Sequence, residues 1–282
     1  MLFTEFKFFA FFALVLLVYW TLQKNSHRKN FLLVASYFFY GSWDWRFAIM
    51  LFLISVGDYA LARLIDKEEE QRRRKIYVVL SLTMNLGVLG FFKYCNFFID
   101  SAIALASTFG VHLSQPTLNI ILPVGISFLT FQSLSYTIDV YRRQLKPARV
   151  MRDYLLFASF FPQLVAGPIV RPAYFLPQLK DKRYVKPEEI REYAILFLIG
   201  FIKKTCIADN IAPYVDHVFN EPNAYSQMSS LTAVWLYTTQ IYCDFSGYSD
   251  MAIAVAGLMG YRLVVNFNGP YLASSIQEFW QR

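Results

Sequence analysis

The sequence predicts an all-α fold: a polytopic bundle of transmembrane helices with re-entrant or broken segments. Three observations lead there. Hydrophobic residues fill 56% of the 282 positions, Phe occurs 28 times, and the mean hydropathy is +0.35. The apolar runs are continuous and several approach the roughly 20 residues that cross a bilayer as a helix. The basic residues cluster between those runs, at "QKNSHRKN" (23–30), "DKEEEQRRRK" (66–75), "YRRQLKPARVMR" (141–152) and "KDKRYVK" (180–186). A soluble domain would not repeat such runs. A membrane barrel would alternate polar and apolar residues instead. The net charge of +7 lies in the clusters, which read as cytoplasmic loops. No basic–aromatic interleaving outside the spans points to nucleic acid.

The first run, "FFAFFALVLLVYWTL" (8–22), reads as a retained span, because Glu5 spoils the basic start a signal peptide needs. Residues 31–65 read as a hairpin, "FLLVASYFFY" and "FAIMLFLISVGDYALARLI" around a turn at "GSWDW". "IYVVLSLTMNLGVLGFFKY" (76–94) crosses next, "CNFFIDSAIALASTFG" (95–110) lies along the interface, and 118–141 crosses back. This count puts 142–152 on the side of the earlier basic loops and the N-terminus on the other.

"YLLFASFFPQLVAGPIVRP" (154–172) is apolar enough to span, yet basic residues follow at 180–186. Pro162, Gly167 and Pro168 interrupt any helix there. Two readings stay open: a re-entrant segment lining a cavity, or a Pro-kinked helix. Residues 191–209 form a helix in which Lys203 and Lys204 mark an interfacial end. Residues 229–243 and 249–261 are two further helical stretches, and 266–282 is amphipathic and interfacial.

The chemistry concentrates in "QIYCDFSGYSDM" (240–251). A carboxylate at mid-bilayer costs about 2.5–3.5 kcal/mol, so Asp244 and Asp250 need a helix end or a polar interior. Gly247 permits a break between the two stretches, and Ser246 and Ser249 can cap the second. Either Asp244, Asp250 and Tyr248 line a substrate path, or Asp244 caps a helix and Asp250 sits in its first turn. Asp209 and Asn210 read as a helix end, and "NFNGPY" (266–271) as a turn. His27, His112 and His217 stand in no metal or catalytic spacing. Cys95, Cys206 and Cys243 are scattered and read as small buried residues. No metal set and no bound cofactor is expected.

Several stretches together, "LPVGISFLTFQSLSYTIDVYR" (122–142), "FFPQLVAGPIVRP" (160–172), "FIKKTCIADNIAP" (201–213), "QIYCDFSGYSDMAIA" (240–254) and "NFNGPYLASSIQEFWQR" (266–282), resemble the membrane-bound O-acyltransferases, in particular their bacterial alginate-acetylating branch. The resemblance runs over the whole chain. It implies one transmembrane domain over 1–282, a ring of helices with a central funnel, in the bacterial cytoplasmic (inner) membrane. The implied reaction moves an acetyl group from a cytoplasmic donor, acetyl-CoA or an acyl carrier, to hydroxyls of an exported polysaccharide such as alginate. The implied partners are the bilayer, the polysaccharide acceptor and periplasmic acyltransferase proteins. Asp244, Ser246, Tyr248, Asp250, Asp209, Asn266, Pro162, Gln163 and Trp280 then become candidates for the substrate path. The family's catalytic His follows an "EFWQR"-like stretch, so it is expected just after Arg282. No catalytic residue is assigned within the chain, and the piece by itself is expected to be inactive. Rival readings are acylation of peptidoglycan, D-alanylation of teichoic acid, and a transporter or channel. Transport would favour inverted repeats, and none is visible.

Overall fold

A computed structural model of the chain describes residues 1–110, 121–165 and 167–282. The described residues are all-α, with no strand among them. His112 and the start of the 118–141 run lie outside the described residues. The helices are α1 (Phe6–Thr21), α2 (Asn25–Gly41), α3 (Trp45–Lys67), α4 (Gln71–Thr108), α5 (Ile126–Tyr141), α6 (Met151–Ser159), α7 (Phe161–Leu164), α8 (Pro172–Phe175), α9 (Pro187–Ile202), α10 (Asp209–Asn220), α11 (Gln227–Leu258) and α12 (Ile276–Gln281). They form two compact units. One comprises Asp44–Ser159 and Arg171–Leu176; the other comprises Met1–Trp43, Phe160–Val170 and Pro177–Arg282.

In the first unit, α3, α4 and α5 pack on one another, with α6 against α3. Asp44 sets the start of α3: its carboxylate accepts from the Arg46 backbone N–H at 2.9 Å and from the Arg46 guanidinium at 2.6 Å. That satisfies one of the free donors of the first turn. Left-handed Gly125 (φ 75°), just after Pro123, sets the start of α5. The α4 and α5 ends are tied by Arg74, whose guanidinium donates to the Tyr141 carbonyl at 2.6 Å and lies over its ring. Among the described residues, α3 and α4 are long and apolar enough to cross a membrane, and α1 is a shorter apolar helix.

The expected boundary at residues 94–95 does not exist. Residues 71–108 are one helix of 38 residues, about 57 Å long at 1.5 Å per residue. The reason is local: nothing from Phe91 to Thr108 is Gly or Pro, so nothing interrupts the hydrogen-bond ladder.

In the second unit, an aromatic core joins the N-terminal helices to α7. Phe3, Phe8, Phe39 and Phe161 pack as tilted and edge-on rings with centroids 4.7–6.2 Å apart. The chain breaks at Phe160 and again after Leu164, so α7 is one isolated turn. Its first N–H is held by Ser36 Oγ at 3.2 Å. Gly167 approaches the Gln163 backbone too closely for a side chain. The broken reading of this stretch therefore holds, and a continuous kinked helix does not. The basic run 23–30 is not a free loop either. From Asn25 it is helical, and Arg28 is buried, donating to the Leu22 and Arg183 carbonyls at 2.9 Å and lying over Tyr19 and Trp20 at 4.7 Å.

The two helices expected on either side of Gly247 are one. α11 runs unbroken for 32 residues. Gly247 serves a crossing instead: a Cβ there would lie 2.7 Å from the Gly200 carbonyl of α9, and a Cβ on Gly200 would lie 2.5 Å from the Gly247 carbonyl. The two backbones can meet only because both residues lack a side chain.

Candidate functional site

That close crossing positions the charges. Directly after Gly200, α9 widens into a π-helical segment, Lys203–Ala208, before α10 resumes a regular helix. Such segments insert an extra residue per turn and recur at functional sites. The carbonyls freed by the widening are recovered by Asn210, whose Nδ2 donates to the Thr205 and Cys206 carbonyls at 2.9 and 3.1 Å. Lys203 and Lys204 thus emerge beside α11. On a regular helix, positions 244 and 250 point about 120° apart, so neighbouring lysines on the facing helix can each take one.

They do. Lys203 Nζ lies 2.7 Å from Asp250 Oδ2. Lys204 Nζ lies 2.6 Å from Asp244 Oδ1 and 2.7 Å from Asp209 Oδ1. Three carboxylates and two ammonium groups form one cluster, with one negative charge in excess. Its inner pair is shielded and its outer acids are open: the Asp250 side chain is 20% exposed, those of Asp209 and Asp244 48% and 52%. Lys203 also lies 5.8 Å above the Tyr242 ring.

Beside the cluster, Ser246, Tyr248 and Ser249 are buried, and their hydroxyls have no hydrogen-bond partner among the described residues. Tyr248 stacks on Phe3 with centroids 4.5 Å apart. Three unused hydroxyls within four residues are costly, at about 1–3 kcal/mol each.

Of the residues singled out in the sequence, Asp209, Asp244 and Asp250 are brought together, and Ser246 and Tyr248 lie on the same helix stretch. The cap and first-turn readings of Asp244, Asp250, Ser246 and Ser249 fall, because no helix begins there. Asp209 and Asn210 do not end a helix either; they follow the π segment inside a continuing one. Pro162 and Gln163 are buried in α7, which packs on α2 and α11. Asn266 is half-buried in the bend after α11, and Trp280 is 80% exposed on α12. His27 and His217 are exposed, and only Cys243 of the three cysteines is buried. Lys203 and Lys204 were the residues the sequence reading misjudged. Their signal was two adjacent lysines inside an apolar run, followed five residues later by Asp209.

The C-terminal segment is fastened to α11, with the Tyr271 hydroxyl donating to the Thr238 carbonyl at 2.9 Å and Phe267 packing edge-on against Tyr242 and Phe245. Glu278, in the exposed turn of α12, accepts from Ser274 N–H and Oγ and from Arg282, and these bonds hold its carboxyl down at about 2. A depressed value stabilises the folded state above the ordinary glutamate range and loses that effect as the pH falls toward 2. Emission from Trp280, isolated by comparison with Trp280→Phe, is expected to stay constant from pH 7 to 5 and to shift below 4. A shift already complete at pH 5 would contradict the Glu278 contacts.

The sequence model described as "MBOAT, membrane-bound O-acyltransferase family" matches residues 80–282. The "Probable alginate O-acetylase AlgI" of Pseudomonas aeruginosa is 38% identical over 283 residues, covering 100% of this chain and 54% of that protein. The "Peptidoglycan O-acetyltransferase" of Helicobacter pylori is 35% identical, over 97% of this chain and 57% of that protein. The "Teichoic acid D-alanyltransferase" of Bacillus subtilis is 31% identical over 60% of this chain and 43% of that protein. The chain spans about half the length of the curated relatives it matches. The family model covers well over half of the chain, in an all-α setting with membrane-length helices: this chain belongs to the membrane-bound O-acyltransferase family.

Proposed function

We propose that the chain is the N-terminal part of a multi-pass O-acyltransferase of the bacterial inner membrane. It transfers an acetyl group from a cytoplasmic donor, acetyl-CoA or an acyl carrier, to hydroxyls of an exported polysaccharide such as alginate. The observation that carries this reading is the cluster in which Lys203, Lys204 and Asp209 of the π segment and α10 meet Asp244 and Asp250 in the second half of the 32-residue α11. Ionisable groups grouped in this way within a membrane protein are expensive unless they border a polar path. The relatives that are alginate O-acetylases by name support the acceptor.

In this reading residues 1–282 belong to one transmembrane domain, and the polar path is bordered by α7, the π segment and α11 of the second unit. Asp209 and Asp244, held by Lys204, accept hydrogen bonds from acceptor hydroxyls. The unused hydroxyls of Ser246, Tyr248 and Ser249 supply further donors. Pro162 and Gln163 shape the broken wall, and Asn266 and Trp280 border the path from the C-terminal side. The acceptor oxygen must lose its proton as it attacks the acyl carbon, and the thiol of the donor leaves. A general base does the first step; the lysine-bound carboxylates orient the oxygen for it.

The test is Asp244→Asn in the full-length protein, produced together with the polymer export proteins. O-acetyl ester on the exported polysaccharide, read by NMR, is expected to fall at least tenfold, with membrane insertion unchanged. Wild-type-like acetylation in the variant would remove the acid from the substrate path. Ester appearing on peptidoglycan, and none on the polysaccharide, would give the acceptor to the Helicobacter-type relatives instead.

A further inference from the structure

Two of the basic clusters in the sequence, 66–75 and 141–152, meet in the first unit. The end of α3, the start of α4 and the turn after α5 surround a hollow of about 310 Å³. Four cations line it: Arg74, Arg143, Lys146 and Lys67. Three acids line it as well: Asp66, Glu68 and Glu69. Because α3 and α4 are the membrane-length helices, a hollow at their joined ends stands at the bilayer surface, on the side read as cytoplasmic.

These charges are left open to the hollow. Glu68 is taken by Arg73, at 3.8 Å, and by the Glu70 N–H, at 3.2 Å. The other six form no ion pair among the described residues. Arg74 is the most telling, since it is only 5% exposed. Its guanidinium donates to the Tyr141 carbonyl and lies over that ring, but its Nε has no partner among the described residues. A buried cation without a counter-charge is costly. Arg74 also lies in the first turn of the 38-residue α4, the positive end of the helix dipole, where an anion is favoured. Asp66 has the opposite need: it lies in the last turn of α3, the negative end, where a cation is favoured. The turn that brings Arg143 and Lys146 to the hollow is fixed. The Gln144 and Leu145 N–H groups both donate to the Asp139 carbonyl, at 3.0 and 3.2 Å. Among the described residues, Arg143 alone of the non-glycines has a left-handed backbone, φ 58°. Such a conformation persists only where its surroundings impose it.

We propose that this hollow binds the headgroup of a membrane phospholipid that carries both charges, a phosphodiester joined to a primary ammonium, as in phosphatidylethanolamine. The phosphate supplies the counter-ion Arg74 lacks, beside Arg143 and Lys146, and the ammonium goes to Asp66 and Glu69. Basic pockets between membrane helices on the cytoplasmic side take lipid headgroups. The acids in this one act against a purely anionic headgroup, because each repels a second negative charge. A zwitterion uses both signs. Leu64 and Ile76, two residues inside Asp66 and Arg74 on their helices, are exposed apolar side chains that suit the acyl chains. The bound lipid would tie the α3–α4 loop to the turn after α5.

The test uses the full-length protein, purified in detergent and stripped of lipid, with native mass spectrometry and melting temperature as readouts. Phosphatidylethanolamine is expected to bind at one tight molecule per chain and to raise the melting temperature with the logarithm of its concentration. Phosphatidylglycerol lacks the ammonium, and the quaternary ammonium of phosphatidylcholine donates no hydrogen bond; both are expected to bind at least tenfold more weakly. Arg143→Gln combined with Lys146→Gln is expected to weaken phosphatidylethanolamine at least tenfold. Asp66→Asn combined with Glu69→Gln is expected to reverse the preference in favour of phosphatidylglycerol. All four side chains are exposed, so these variants keep the fold. Glycerophosphoethanolamine, the headgroup without chains, is expected to compete poorly. Absence of a tight phosphatidylethanolamine overturns the proposal, as does equal binding of phosphatidylglycerol by the wild type. Binding that either double variant leaves unaltered places the lipid elsewhere and overturns it too. Competition by glycerophosphoethanolamine at equal concentration would make this a site for a soluble phosphate ester and overturn the lipid assignment.

Discussion

Gly247→Leu is expected to separate α9 from α11 and to be the most damaging single change in the chain. A Cβ at this position already meets the Gly200 carbonyl at 2.7 Å, Lys203 Cβ at 3.0 Å and the Lys204 backbone nitrogen at 3.1 Å. Two of those three atoms are backbone, which cannot rotate aside. Overpacking a close contact costs about 1–3 kcal/mol even where side chains can yield, and here the backbone itself has to move. Detergent-solubilised Gly247→Leu should melt several degrees below wild type and should be cleaved by protease within the 203–209 segment. Gly247→Ala tests the same contact with the smallest possible increment and should show the same effect in weaker form. Wild-type melting in both variants would show that the α9–α11 crossing is looser than the distances state.

Lys204→Met should cost the larger share of activity. Lys204 is the single cation between Asp209 and Asp244, at 2.7 and 2.6 Å. Methionine keeps the length of the side chain and its apolar stem but removes the charge. The two acids then face each other without a counter-ion, and at that spacing like charges disfavour joint ionisation. Their mutual repulsion drives them apart, and the arrangement proposed to bind the acceptor is lost. Acetylation by the full-length protein is expected to fall by a factor of ten to one hundred. The acids are half exposed, so stability should change by no more than about 1 kcal/mol, the range of exposed ion pairs. Lys203→Met breaks only the shielded pair with Asp250 and should act mainly on stability. A Lys204→Met protein with normal acetylation would show the cluster to be a strut.

Much of the fold was legible in the residues. The apolar runs located α1 to within two positions and the cores of the α2–α3 hairpin and of α9, although α2 begins six residues earlier than expected, at Asn25, and α9 runs Pro187–Ile202 before the π segment. Pro162, Gly167 and Pro168 announced the break around α7, since a missing N–H and a close backbone approach are properties of the residue itself. Gly247 misled for an instructive reason. Glycine signals permission, either to bend or to admit a neighbour, and which of the two it grants depends on a helix nearly fifty positions away. The same holds for the charges. Asp244 and Asp250 stood out as anomalous in an apolar setting, but their partners at 203 and 204 looked like ordinary interfacial lysines. Asp58, inside "SVGDYALA", was not among the residues singled out in the sequence, and its partners at 81, 85 and 133 carry no charge at all.

By itself, then, the sequence determined the helical membrane class, the family, and which stretches are too polar or too broken to be simple spans. These follow from transfer free energies and backbone stereochemistry, which act within a short window of chain. Only the tertiary structure decided that α11 is continuous, that its aspartates are paired, and that one acid is left among hydroxyls. Pairing depends on which helices approach one another, and the approach of α9 to α11 is set by two glycines whose lack of side chains can act only when they meet.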